Sequence, residues 1–283
     1  MRIAVVTPYY REEARVIERC MESVRSQDMP VDHILVADGF PQAWVEQHEN
    51  VRHVALARNS SDFGDTPRSI GFMLGVRMDY DILQFLDADN ILMPGHFKDV
   101  VEGFARTGAD ILLARRLMLR PDGSVLDVRM PAEEKLDHVD TSCFVFSRPA
   151  FHIGLRWGFI PKALGYMDDR VFYTAVKASR VKTAALAAPT VGYTCMWRDI
   201  YIRAGETPPP GCRELAPHKE AARSWLEGLD PERRKAIEKP LGITIGLQAA
   251  RGGTLPAGSV PRKAAVGSEG RALKGAKSSG PKP

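Results

Sequence analysis

Apolar residues in the first third of the chain fall into short unbroken runs at residues 3–6, 34–37 and 82–86. Runs this short, rich in branched side chains and closed by Pro8, by Asp38-Gly39 and by Asp87, predict buried strands that end in loops. Between the first two, Val16, Cys20, Met21 and Val24 recur near helical spacing and predict a crossover helix over 12–27. A third strand is expected at 51–56. Thr66 as cap and Pro67 at the first helical position open a helix toward Arg77. Another helix runs over 94–107 and ends near Gly108. Strands separated by helices point to an α/β fold with a doubly wound, mainly parallel sheet.

The rhythm then changes. Residues 110–119, a turn at Pro121-Asp122-Gly123-Ser124 and residues 125–130 predict a hairpin, and 141–146 another strand, so the second half adds an antiparallel extension. A helical turn at Pro149 and a helix over 165–178 follow. Residues 183–188 and 190–194 read as further strands. Cys195 to Arg198, with Tyr201 and Arg203, read as a flap over the sheet edge. Two amphipathic helices close the pattern, at 214–229 and, capped by Asp230, at 231–239.

In open α/β sheets ligands lie outside the carboxyl ends of the strands, and Thr7, Asp38 and Asp87 to Asp89 all occupy such ends. If the strand continues through Asp89, Asp87 and Asp89 face one way and the small Ala88 turns back into the protein. Two carboxylates so placed repel one another unless a cation or donors share the site. A divalent metal that also takes phosphate oxygens meets that need; a solvated turn is the plainer reading. Arg68, near a helix start, suits an anion, or simply pairs with Asp65. Asp168 and Asp169 sit in the opening turn of a helix, which stabilises both, and one of them is expected to cap it. The rings of Trp157, Phe159 and Tyr166 serve either the core or a platform for a sugar.

Composition narrows the classes. The chain of 283 residues carries a formal charge of +4, but the residues before Ala249 sum to −2. The folded part is therefore not basic, which makes nucleic acid an unlikely ligand in this reading. Residues 247–283, rich in Gly, Ala, Ser, Pro and Lys, are expected to be a disordered basic tail. Cys20, Cys143, Cys195 and Cys212 lack metal-ligand spacing and are expected as reduced structural thiols. No signal-like opening and no membrane-spanning apolar run is visible, so the expectation is a cytoplasmic protein, at most peripheral at the inner membrane face. GxGxxG and GxxxxGK[ST] fingerprints are absent from the sequence.

Taken in order, Val5-Val6-Thr7-Pro8-Tyr9-Tyr10, Ser23-Val24-Arg25-Ser26-Gln27, Ile34-Leu35-Val36-Ala37-Asp38-Gly39, Pro67-Arg68-Ser69-Ile70-Gly71, Phe85-Leu86-Asp87-Ala88-Asp89-Asn90 and Met167-Asp168-Asp169 resemble family 2 glycosyltransferases of the GT-A fold. The resemblance covers roughly residues 2–194. It implies a nucleotide-sugar-binding half over 1–110, with an acceptor half and C-terminal helices over 111–246. It implies that Thr7, Pro8 and Tyr9 line the nucleotide pocket, with Asp38 on the base. Asp87 and Ala88 would meet the donor, Asp89 with Asp87 would hold manganese or magnesium, and Arg68 matches the arginine of an Ala-Arg-Asn motif. Asp169 matches the acid acting as general base, although the Asp168-Asp169 pair leaves either member open. The implied donor is a UDP- or GDP-sugar, and the acceptor a glycan, a lipid-linked molecule or a small molecule. The family's Gln-x-x-Arg-Trp motif is absent, which together with the missing span argues for a single inverting transfer rather than polymerisation. A nucleotidyltransferase or a non-catalytic nucleotide-sugar-binding scaffold are the alternatives.

Overall fold

The computed structural model describes residues 1–245; the expected tail at 247–283 lies outside the described residues. Its frame is an eight-stranded mixed sheet. The first half runs β1 (Ile3–Tyr9), α1 (Ala14–Arg25), β2 (Asp32–Ala37), β3 (Val51–Ala55), α2 (Asp65–Arg77), β4 (Ile82–Phe85), β5 (Ile91–Leu92) and α3 (His96–Thr107). The second half contains β6 (Ile111–Leu119), α4 (Pro131–Glu134), β7 (Phe144–Ser147), α5 (Phe151–Gly154), α6 (Asp168–Ala178), β8 (Thr183–Thr194), α7 (Arg198–Ala204), α8 (Leu215–Glu227) and α9 (Pro231–Leu241). Strand order is β3-β2-β1-β4-β7-β6-β8-β5. Strands β3, β2, β1 and β4 pair in parallel, and β7 joins antiparallel to both β4 and β6. This is the expected mixed α/β architecture, a parallel nucleotide-type sheet with an antiparallel extension.

Every residue of β1 is buried, because helices cover both faces of a central parallel strand. Helix α2 lies directly on β1 and β2: a Cβ at Gly71 would come within 2.6 Å of the Val6 side chain, so glycine permits the close approach. Where the sheet turns antiparallel, an aromatic cluster fills the core. Ring centroids lie 5.1 Å apart for Phe72 and Phe85, 5.3 Å for Phe85 and Trp157, and 4.6 Å for Trp157 and Phe172. Each fully buried ring contributes roughly 1.5–3 kcal/mol relative to exposure. Trp157 therefore belongs to the core. The four cysteines are free thiols, three of them buried.

Four local expectations change. The hairpin after β6 shrinks to one bridge, Leu119 to Val125, because Leu126, Val128 and Met130 bury their side chains against Cys195, Ile200 and Tyr201 rather than extending a ladder. Residues 183–194 form one strand, not two; the pairing register with β6 shifts on either side of Arg115. Helix α2 begins one residue before Thr66, with Gly64 and not Thr66 at the cap position, and the Thr66 amide donates to the Asp62 carboxylate at 3.1 Å. The flap after Cys195 includes the short helix α7. Asp230 caps α9 as expected, accepting from the Arg233 amide at 2.8 Å. Among the described residues no helix is long and apolar enough to cross a membrane.

Candidate active site

Strand β4 stops at Phe85, so the acids that follow sit in a turn rather than on a pleated strand, which corrects the expected alternation. Its geometry is set by polar residues around it. The Leu86 amide makes a last bond to the Val6 carbonyl at 3.0 Å, and the Asn90 amide closes the turn on the Asp87 carbonyl at 3.0 Å. Asn90 is fully buried; its Nδ2 donates to Ser142 Oγ at 3.0 Å and its Oδ1 accepts from the Thr194 amide at 3.0 Å. Ser142 Oγ also accepts from the Asp87 amide at 3.1 Å. One turn is thereby clamped between the residues just before β7 and the end of β8.

Asp87 points toward α2, where its Oδ1 accepts from Arg68 Nη2 at 2.7 Å. Arg68 also reaches Asp65 Oδ1 at 3.1 Å, and Trp157 Nε1 donates to that same oxygen at 2.6 Å. The plainer reading of Arg68, a pair with Asp65, is thus met, and Asp87 is a second partner. Asp89 forms no ion pair among the described residues: burial and the neighbouring Asp87 charge push its pKa up to about 7, against the pull of Arg213. Ala88 packs inward with Tyr9, Ile17 and Leu35, as expected.

These acids open onto a cleft of about 830 Å³ that spans both halves of the sheet. Pro8, Tyr9, Asp38, Arg68, Asp87, Ala88, Asp89, Asp168 and Asp169 all line it. Thr7 does not: its hydroxyl lies inside the protein, 2.8 Å from His33 Nε2. Tyr9 keeps its hydroxyl on His53 Nε2 at 2.7 Å and on the Gln42 amide at 2.9 Å. Asp38 accepts from Asn59 Nδ2 at 2.8 Å and from the Ser60 amide and hydroxyl at 2.9 Å each, which fastens the loop before α2 to the end of β2. That loop passes so close that a Cβ on Gly39, at φ +85°, would meet Asn59 N at 2.5 Å.

On the other side of the cleft the two acids of α6 part company. Asp168 is the first residue of the helix and not its cap; its Oδ1 accepts from the next amide, Asp169, at 2.7 Å. Burial, with the charges of Asp65 and Asp169, pushes Asp168 well above the usual carboxylate range. Burial also raises Asp65, to about 6. Asp169 goes the other way. Burial opposes its charge, but His138 Nε2 lies 2.6 Å from Oδ2 and holds the carboxyl below its ordinary value. Burial likewise opposes charge on His138, yet Asp169 and Glu133 carry its pKa up to about 9, so the ring is an imidazolium at neutral pH. Behind it, buried Arg116 pairs with Glu133 and, at 2.7 Å, with Asp140. The second oxygen of Asp169, Oδ1, is buried and has no hydrogen-bond partner among the described residues.

His138, Glu133, Asp140 and Arg116 were not singled out from the sequence. His138 stands alone in a polar stretch 31 residues before its partner, and no spacing connects them. The only local signal was the density of Glu133, His138 and Asp140 in a short connection between strands.

Among the described residues no group of three or more His, Cys, Asp or Glu is arranged to hold a metal. The two carboxylates of the turn nonetheless suit a hard cation whose other ligands come from a bound molecule: Asp89 is crowded by Asp87 and forms no ion pair among the described residues.

Comparison with known proteins agrees with this geometry. Residues 4–126 match the family described as glycosyl transferase family 2. A curated relative, the succinoglycan biosynthesis protein ExoW of Rhizobium meliloti (strain 1021), is 29% identical over 116 residues, covering 38% of this chain and 36% of that protein. The match thus spans about a third of that relative's own length. Among solved structures, S. aureus TarS 1-349 in complex with UDP superposes with a TM-score of 0.56 at 14% identity, over 85% of this chain and 70% of the other. The UDP-GlcNAc complex of the same protein gives 0.55 at 13% identity, over 85% and 70%. At such identity the likeness is one of fold.

Proposed function

From the match of residues 4–126 to glycosyl transferase family 2 we infer that this chain belongs to that family and that the cleft transfers one sugar from a nucleotide-sugar donor to an acceptor hydroxyl. The nucleotide lies along the ends of β1 and β2, beside Pro8, Tyr9 and Asp38, and its diphosphate lies at the turn of Asp87 and Asp89. The UDP and UDP-GlcNAc complexes of a protein with this fold favour a uridine donor. Residues Asp89 and Asp87 would hold manganese or magnesium, which when bound supplies positive charge to the departing diphosphate.

The observation that carries the reading is Asp169, which lines the cleft with its pKa held down and is oriented through Oδ2 by His138, while its second oxygen, Oδ1, has no hydrogen-bond partner among the described residues. That oxygen accepts the proton of the acceptor hydroxyl as the hydroxyl oxygen bonds to the anomeric carbon. The bond from that carbon to the diphosphate breaks, its electron pair leaves with the nucleoside diphosphate, and the anomeric centre inverts. Asp168, whose pKa burial raises well above the usual carboxylate range, is less suited to this task; Asp65, Asp168 and Arg68 instead connect the base-bearing helix to the donor turn. Non-processive transfer is part of the same proposal, since Trp197-Arg198 forms no Gln-x-x-Arg-Trp motif.

Released UDP or GDP, followed across a panel of nucleotide sugars and acceptors, tests the reading. Asp169→Asn should bind UDP as the wild type does and turn over at least ~100-fold more slowly, the lower end for loss of a general base. Asp168→Asn, which mimics the neutral acid, should stay within a few fold. Equal turnover in wild type and Asp169→Asn, or a collapse confined to Asp168→Asn, defeats the assignment.

A further inference from the structure

The cleft treats its cations in two ways. On one side Arg68 is ion-paired with Asp65 and Asp87, and Arg116 with Glu133 and Asp140. Past the base, Arg170, Arg213 and Lys219 also line the cleft, yet among the described residues none has a carboxylate ion-pair partner. Arg170 follows Asp169 directly in α6. Lys219 projects from α8, which packs on the turn Lys162–Met167 immediately before α6. Arg213 is held at the border between the two sides: Nη1 donates to the Tyr166 hydroxyl at 2.9 Å, and its guanidinium lies 5.4 Å and 5.2 Å from the ring centroids of Tyr166 and Trp197. It faces Asp89 on one side.

Arg170 and Lys219 are half-buried and Arg213 is exposed; like charges gathered at half-buried positions repel one another unless an anion shares the site. Burial and the charge of Arg170 lower the Lys219 pKa, and Asp199 is the acid that faces it. Asp169, which feels the charge of Arg170, is already committed to His138.

We propose that Arg170 and Lys219, with Arg213 at the border, form an anion subsite beside the base, and that the acceptor is a saccharide or polyol bearing a phosphate or carboxylate. The word acceptor rests on the glycosyltransferase reading; the anion subsite does not. An anionic group seated there would bring a neighbouring hydroxyl toward Asp169 Oδ1, and the ring of Tyr166 offers an apolar face to the same molecule.

Calorimetric titration of the full chain, with and without saturating UDP, tests this with three probes: glycerol 3-phosphate, glucuronate and glucose. At least one anion should bind about tenfold or more tightly than glucose, as charge-assisted hydrogen bonds predict. Preference for the phosphate ester indicates a phosphorylated acceptor, and preference for glucuronate a uronic acid. Arg170→Gln/Lys219→Gln should lose the preference and keep its UDP affinity; Lys219→Gln alone, at a helix surface, should move the same way should the double variant unfold. Glucose binding as well as the anions, a preference that survives both substitutions, or UDP affinity falling in step with anion affinity would overturn the proposal. Failure of the wild type to bind UDP while the anion preference persists would instead break the glycosyltransferase reading and leave the subsite standing.

Discussion

Two acid pairs face one cleft, and their surroundings divide them differently. In the turn after β4, Asp87 is paired with Arg68, whereas Asp89 has no ion pair among the described residues and its pKa is raised to about 7. At the start of α6, Asp168 is pushed up by burial while Asp169 is held down by the His138 imidazolium. Under the proposed function the first pair is the candidate cation site and the second the candidate base. Sequence shows two acids in each place; burial and partners assign the work. Arg68 connects the pairs through Asp65, which faces Asp168.

The largest expected effect comes from cutting that connection. Arg68→Met leaves Asp65 and Asp87 without their cation in a buried setting, a loss of about 3–5 kcal/mol in unfolding free energy. Denaturant titration reads it directly, and a loss under ~1 kcal/mol would mean the acids simply take up protons. Next is His138→Gln. Without the imidazolium the pKa of Asp169 rises, so the acidic limb of the rate profile should move to higher pH and turnover fall by about tenfold, with donor KM little changed. An unaltered profile would show that the ring is only structural.

A smaller effect is expected at Asp89. Its folded pKa is raised above the unfolded value, so its contribution works against the fold and grows as pH rises from about 4 to about 7. Asp89→Asn should therefore gain on the order of 1 kcal/mol at pH 8 without metal, a figure discounted for its partial exposure. The same variant should lose manganese-dependent UDP binding. Retained manganese dependence, or a fold weakened at pH 8, would contradict the role given to this turn.

What the sequence made legible follows from what each signal measures. Apolar runs report burial, and β1, β2 and β4 lie where those runs predicted. The same runs are silent about facing: in β1 every residue is buried, so nothing in the pattern tells that Thr7 turns inward to His33 while Pro8 reaches the cleft. Local spacing likewise found Asp87 and Asp89 but not their separation by a turn. His138 was beyond reach because its importance is a tertiary contact. Asp169 draws it in across 31 residues, and Glu133 and Arg116 steady it. Hairpin-like sequence after β6 misled because its apolar residues had a better burial against α7.

The central claim is that an imidazolium keeps the base ionised, and the titration of His138 tests it most directly. Histidine-labelled protein followed by NMR across pH should show His138 titrating near 9. Its stabilising effect should be full below the unfolded value of about 6.5 and fade as pH rises through that folded value. In Asp169→Asn the same ring should titrate markedly lower, because the carboxylate that holds its proton is gone. A His138 that titrates near 6.5 in the wild type, or one that is indifferent to Asp169→Asn, would contradict the account.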